Sequence, residues 1–263
     1  MRESRTQGRI RPSSLCRKVS LNLPTGWQGL SQDDLRHVLL LHHTLGGRGT
    51  DAVKAAALLY FGGFLVERKT ESGWLCVRSG KPFLLSPSLL PSVIATLDWT
   101  CRPEEMTDRI DRIGRHKACN MWLRDMPFGK YLMLENYYQA FLSSRETRLL
   151  RLMAEILYQV PEGDTLDAED YETSSVFLWY SAVKSRFARE FPHFLKPVRE
   201  GQSTGSRMDQ KEMMTAQIRL LTKGDITKND AILNTDTWSA LFELDALARE
   251  SEELKTKNST RNV

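Results

Sequence analysis

The chain has 263 residues, of which 41% are hydrophobic, 9% aromatic and 27% charged, with a formal net charge of +4. This composition supports a buried core and excludes a wholly disordered polyelectrolyte, and the length fits one large domain or two smaller ones. The charge excess is local: residues 1 to 18 carry Arg2, Arg5, Arg9, Arg11, Arg17 and Lys18 against Glu3 alone, so the remainder of the chain is close to neutral.

Residues 1–17 therefore read as a basic flexible arm, either a solvated tail or a segment able to touch phosphate backbones or anionic lipid. Cys16, Cys76, Cys101 and Cys119 lie far apart with no Cys-x-x-Cys pair, which suits reduced thiols in the cytoplasm. No apolar stretch follows the N-terminal charges, so no secretory leader is expected. The longest apolar run, AAALLYFGGFLV at 55–66, is well short of the roughly 20 residues a membrane span needs. No membrane partner is expected.

The first element is KVSLNL at 18–23, read as a short strand closed by Pro24 and Gly26. Ser31 with Asp34 three residues on forms a capping signature ahead of LRHVLLLHHTL, a helix stopped by Gly46, Gly47 and Gly49. Thr50 or Asp51 is expected to cap a second helix, DAVKAAALLYF, giving a helical hairpin. From 64 to 85 the segments FLVERK, WLCVR and PFLL, parted by ESG and SGK, predict a small β-meander. A helix then resumes at SLLPSVIATLDW, with Pro91 tolerated only in its first turn.

Residues 102–131 are dense in charge and broken by Gly114, Pro127 and Gly129, which predicts a connector with at most short helical turns. Two helices follow, the second with Leu149, Leu152, Met153, Ile156 and Leu157 on one stripe, and then a helix over 172–191 stopped by Pro192. GQSTGS at 201–206 reads as a linker. Beyond it MDQKEMMTAQIRLLTK is a helix ending at Gly224, and Thr235 or Asp236 caps a final helix. On that last helix Trp238, Leu241, Phe242 and Ala248 are read as the inward arc. Leu244, Leu247 and Leu254 form a second arc, assigned to a partner or a second copy.

The chemical motifs are sparse. GGRGTD at 46–51 has the glycines of a phosphate loop but no Lys-Ser/Thr pair, and it reads as an interhelical turn. His37, His42 and His43 lack the spacing and the glutamate of a zinc-protease helix, and His116 with Cys119 supplies only two ligands. No Gly-x-Ser-x-Gly elbow is present. Neither a catalytic residue, a metal nor a cofactor is expected. RIDRIGRHK at 109–117 sets Arg109, Arg112 and Arg115 three apart, followed by His116 and Lys117. This cluster is a candidate anion contact, with Asp108 and Asp111 interleaved as internal partners.

LDW at 97–99, RIGRHKA at 112–118, PFGKYLMLENYYQAFL at 127–142, FAREFPHFLKP at 187–197 and IRLLTKGDITKNDAILNTDTWSALFELDALARESEE at 218–253 resemble a protein family of prophage and mobile elements in Bacteroidetes-type bacteria. The resemblance spans nearly the whole chain after residue 18, and its last block is similar to small helical phage tail-assembly proteins. It implies a genomic context and brings no established active site.

The expected architecture is mainly α (α+β). It comprises an arm at 1–17, a helical hairpin and β-meander at 18–101, a charged connector and helical region at 102–200, and a C-terminal helical module at 207–257. The expected function is non-enzymatic, a phage assembly or chaperone-like factor working through helix contacts with a phage structural or tail protein, or with itself. The other reading is a nucleic-acid-associated accessory protein using the arm and the 109–117 cluster.

Overall fold

The computed structural model describes residues 19–195 and 210–261. The basic arm at 1–17 and the linker at 201–206 lie outside them. The fold is mainly helical α+β, 59% helix with one small antiparallel three-stranded sheet. It divides into two compact units, Met1–Leu30 with Leu40–Arg102, and Ser31–Leu39 with Pro103–Val263.

Helix α1, Gln32–Leu45, starts where Ser31 accepts the Asp34 backbone N–H at 3.1 Å and donates its hydroxyl to the Asp34 carboxylate at 2.6 Å. A 3-10 turn, Gly46–Arg48, ends it. Helix α2, Thr50–Gly62, is capped by Gly49 and not by the side chain of Thr50 or Asp51. Gly49 takes φ 99°, a backbone conformation that glycine reaches without strain. Gly63, left-handed at φ 61°, closes α2 and turns the chain into the sheet.

The meander is β1, Leu65–Thr70; β2, Gly73–Arg78; and β3, Lys81–Leu85, in the order β1-β2-β3. Leu75 and Cys76 of central β2 and Phe83 and Leu85 of β3 are buried, whereas β1 is an exposed edge. Residues 18–23 do not add a strand. Their described part is irregular, tied by Arg78 donating to the Ser20 carbonyl, because the chain reaches the sheet end through a side chain and not a ladder. Helix α3, Leu90–Ala95, keeps Pro91 in its first turn as expected but is only six residues long. The first unit's core gathers Trp27 edge-on to Trp99 at 5.1 Å and Phe64 edge-on to Phe83 at 5.3 Å. The two indoles donate to the Arg102 and Pro24 carbonyls.

The second unit is built on helices α4, Phe128–Ser144; α5, Thr147–Leu157; and α6, Asp170–Glu190. On α5 the buried stripe is Leu150, Met153, Ala154 and Leu157, turned slightly from the predicted one, with Leu149, Leu152 and Ile156 half-buried at its rim. Residues 103–127 are not a solvated connector. They bury Met106, Ile110, Ile113, Cys119, Met121, Leu123 and Met126 at irregular intervals that match no helical or strand period, and they include a minimal hairpin, β4, Arg112–Ile113, with β5, His116–Lys117. Helices hold this segment through its backbone: Tyr158 donates to the Ile110 carbonyl and Trp179 to that of Met121, each at 2.9 Å. Where backbone is buried without a ladder, such side chains supply the partners.

Helices α7, Gln210–Thr222; α8, Asn229–Leu233; and α9, Thr237–Arg261, complete the unit. The described part of the C-terminal helical module expected at 207–257 packs back on the helices before it. Phe128 N–H donates to the Thr235 carbonyl and Thr237 N–H to that of Met126, so the start of α9 is stitched to the start of α4 by backbone bonds. Gly129 lets α8 approach, since a Cβ there would lie 3.2 Å from the Leu233 oxygen.

Candidate functional site

Asp236 caps α9, its carboxylate accepting the Ser239 N–H at 2.9 Å. The helix runs 25 residues, about 37 Å at 1.5 Å per residue. Its first turns are embedded: Trp238, Ala240, Leu241 and Leu244 are buried, and Trp238 meets Phe187 and Phe191 edge-on at 5.4 and 5.5 Å. Asp245 then accepts the backbone N–H groups of His193 and Phe194, which follow α6, at 2.8 and 2.9 Å. From Arg249 to Lys257 most positions are exposed.

Two residues exchange the roles expected of them. Leu244 is 1% exposed and belongs to the core, whereas Phe242 is 55% exposed and leans edge-on against Phe191 at 5.1 Å. At 100° per residue the buried face is centred near Leu241, which brings Leu244 inward and leaves Phe242 at the rim. Of the three leucines assigned to a partner, Leu244 is therefore unavailable. Leu247 is half-buried, and Leu254, two turns on and on the same side of the helix, is 61% exposed. Glu243 and Glu250 are exposed beside them.

Helix α7 carries a second apolar face that the sequence reading missed. Met214, Ile218 and Leu221 are half-buried with Thr222 fully buried, while Met213, Ala216 and Leu220 are exposed. Ile226, in the 3-10 turn Ile226–Lys228 after Gly224, is 79% exposed. The signal was the three-then-four spacing of Met213, Ala216 and Leu220, hidden because the neighbouring Met214, Ile218 and Leu221 make a second stripe.

The 109–117 residues do not converge on one anion. Arg109 turns inward, its Nε donating to the Cys119 carbonyl at 2.8 Å and its guanidinium lying 5.7 Å from the Trp179 ring centre. It also pairs with Asp111 at 3.2 Å. Arg112 donates to the Arg115 carbonyl, and Arg115 pairs with Asp164. His116 is buried with Nε2 3.6 Å from the same carboxylate, and Lys117 is exposed. The Thr165 N–H and then Arg115 hold the Asp164 carboxyl below its ordinary range. A three-residue repeat is helical spacing, and the hairpin replaces it with turns that point the side chains apart.

Among the described residues no group of three or more His, Cys, Asp or Glu is placed to hold a metal. His116 and Cys119 have separate roles: burial pushes the Cys119 thiol up to about 12, so it is a protonated core group at neutral pH. His42 gives its Nε2 to the Thr100 carbonyl, which accounts for one helix histidine structurally. Among the described residues, no helix is long and apolar enough to cross a membrane. No protein-family model matches the chain, and no curated protein or solved structure matches it.

Proposed function

We propose that the protein is a non-enzymatic assembly or chaperone-like factor that binds a helical segment of a phage structural protein along the outer half of α9. One observation supports this reading above the others: a 25-residue helix is anchored by Trp238, Leu241, Leu244 and Asp245, then continues past its own core with Leu254 61% exposed. A helix that extends beyond its packing surface while keeping leucines two turns apart suits recognition of a second amphipathic helix. Glu243 and Glu250 favour a partner segment with Lys or Arg beside its apolar stripe. The phage context comes from the resemblance of the sequence blocks.

The test is co-expression with each structural protein encoded by the same element, followed by titration calorimetry on any pair that co-purifies. Leu254→Asp and Leu247→Asp are expected to abolish binding and leave the melting temperature within a few degrees of wild type. Binding that survives both substitutions, or variants that melt early, would remove α9 as the contact.

A further inference from the structure

We infer that α7 is a self-association surface on which a second copy of this chain packs antiparallel, with Ala216 on the two-fold axis. The inference concerns a different helix from the α9 reading and stands without it.

On the outward side of α7 four residues surround Ala216 at the positions three and four before and after it: Glu212, Met213, Arg219 and Leu220. All five are exposed. Glu212, Thr215, Ala216 and Arg219 line a shallow concavity of about 360 Å³ on the charged side of this face, with the small Ala216 at its border with Met213 and Leu220. Small residues at a helix crossing allow the two backbones to approach closely.

The pattern is self-complementary in one orientation only. Glu212 and Arg219 lie along one flank of the face, and Met213 and Leu220 along the other, each pair two turns apart. In a two-fold antiparallel packing each flank meets its own copy with direction reversed. Glu212 then faces Arg219 of the second copy and Arg219 faces Glu212, while Met213 and Leu220 meet across the other side. A parallel packing sets the charged flank against the apolar one, which desolvates both charges without pairing them. An isologous contact requires that when one residue meets another, the second meets the first, and this face satisfies it twice.

The face spans only two turns, less than the roughly 1,600 Å² of a standard stable interface, so the dimer is weak and forms with rising concentration. Sedimentation velocity of the full chain over about 1 to 200 µM is expected to show monomer passing to dimer. Ala216→Glu should leave monomer throughout. Glu212→Arg and Arg219→Glu should each weaken the dimer about tenfold, and the double reversal should return it to within about threefold of wild type. Dilute melting curves check folding, and Leu220→Lys takes the place of Ala216→Glu if that variant melts early. A wild-type chain that stays monomeric, a dimer indifferent to the axis substitution, or a double reversal as weak as the single ones overturns the proposal.

Discussion

Trp238 donates its indole N–H to the carbonyl oxygen of Trp122 at 2.6 Å, across 116 positions of sequence. The guanidinium of Arg124 lies 4.4 Å from the Trp238 ring centre, and Phe187, Phe191 and Phe242 surround the ring. This one side chain joins the irregular 103–127 segment, the end of α6 and the start of α9. Trp238→Ala is expected to cost about 3 to 5 kcal/mol, because it leaves a large cavity and an unmet carbonyl. Phe242→Ala, at the rim, should cost about 1 kcal/mol. Chemical denaturation of both variants measures the contrast, and equal losses would show that the rim ring is core.

Leu244 and Leu254 give a second contrast on the same helix. Leu244→Asp buries a carboxylate without a partner and should lower stability by more than about 3 kcal/mol. Leu254→Asp should stay within about 0.5 kcal/mol of wild type. Thermal and urea melts of the two proteins decide it, and a strongly destabilised Leu254→Asp would place that side chain in a contact of its own chain.

Gly73 begins β2 at φ 140°, where an added Cβ would fall 2.2 Å from the Leu85 carbonyl oxygen. That oxygen belongs to backbone and cannot swing away. Gly73→Ala should therefore pull β2 from β3 and cost about 2 to 4 kcal/mol, a strain and clash penalty far above ordinary surface substitution. Gly80→Ala supplies the control, because its φ of 73° adds strain while nothing lies within 4 Å of the new Cβ. The urea midpoint should fall further for Gly73→Ala than for Gly80→Ala, and equal midpoints would contradict the clash.

Burial lowers the pKa of His42 below its ordinary 6.5, although its bond to the Thr100 carbonyl acts the other way. The unfolded chain then binds a proton near 6.5 that the folded chain takes up only at lower pH. The stabilising contribution is present above 6.5 and is lost as pH falls through the lowered value. Urea midpoints should decline between pH 7.5 and pH 5.5, and His42→Gln should flatten that decline. An unchanged slope in the variant would assign the acid sensitivity to other groups.

At the alkaline end the sign reverses for Cys119. The unfolded thiol ionises near 9.0, whereas the buried one holds its proton to about 12, so stability falls as pH rises above 9. In the native protein at pH 8, thiol reagents should label the partly exposed Cys101 before the buried Cys119. Mass mapping of the labelled peptides checks the order, and rapid labelling of Cys119 would show that its segment opens.

Much of the local structure was legible in short-range chemistry. Ser31 and Asp34 marked the start of α1, the β-branched and aromatic segments with glycine turns of 64–85 specified three antiparallel strands, and Thr235 or Asp236 marked the start of α9, where the Asp236 carboxylate makes the cap, because caps and turns are satisfied by atoms a few residues away. The mainly helical α+β class followed from the same patterns. Tertiary structure decided the finer rotation of the inward face on α5 and α9. Leu244 and Phe242 are both apolar and stand on the two flanks of Leu241, about 160° apart on the wheel, and only the placement of Phe187, Phe191 and Trp122 around Trp238 rotates α9 so that one is buried and the other exposed. The same holds for RIDRIGRHK: its charges were visible in order, but their directions depend on a two-residue hairpin, on the Cys119 carbonyl just beyond it, and on Asp164 and Trp179, which lie near them only after folding. Periodicity reports that an apolar face exists, while the partner that covers it is set by contacts distant in sequence.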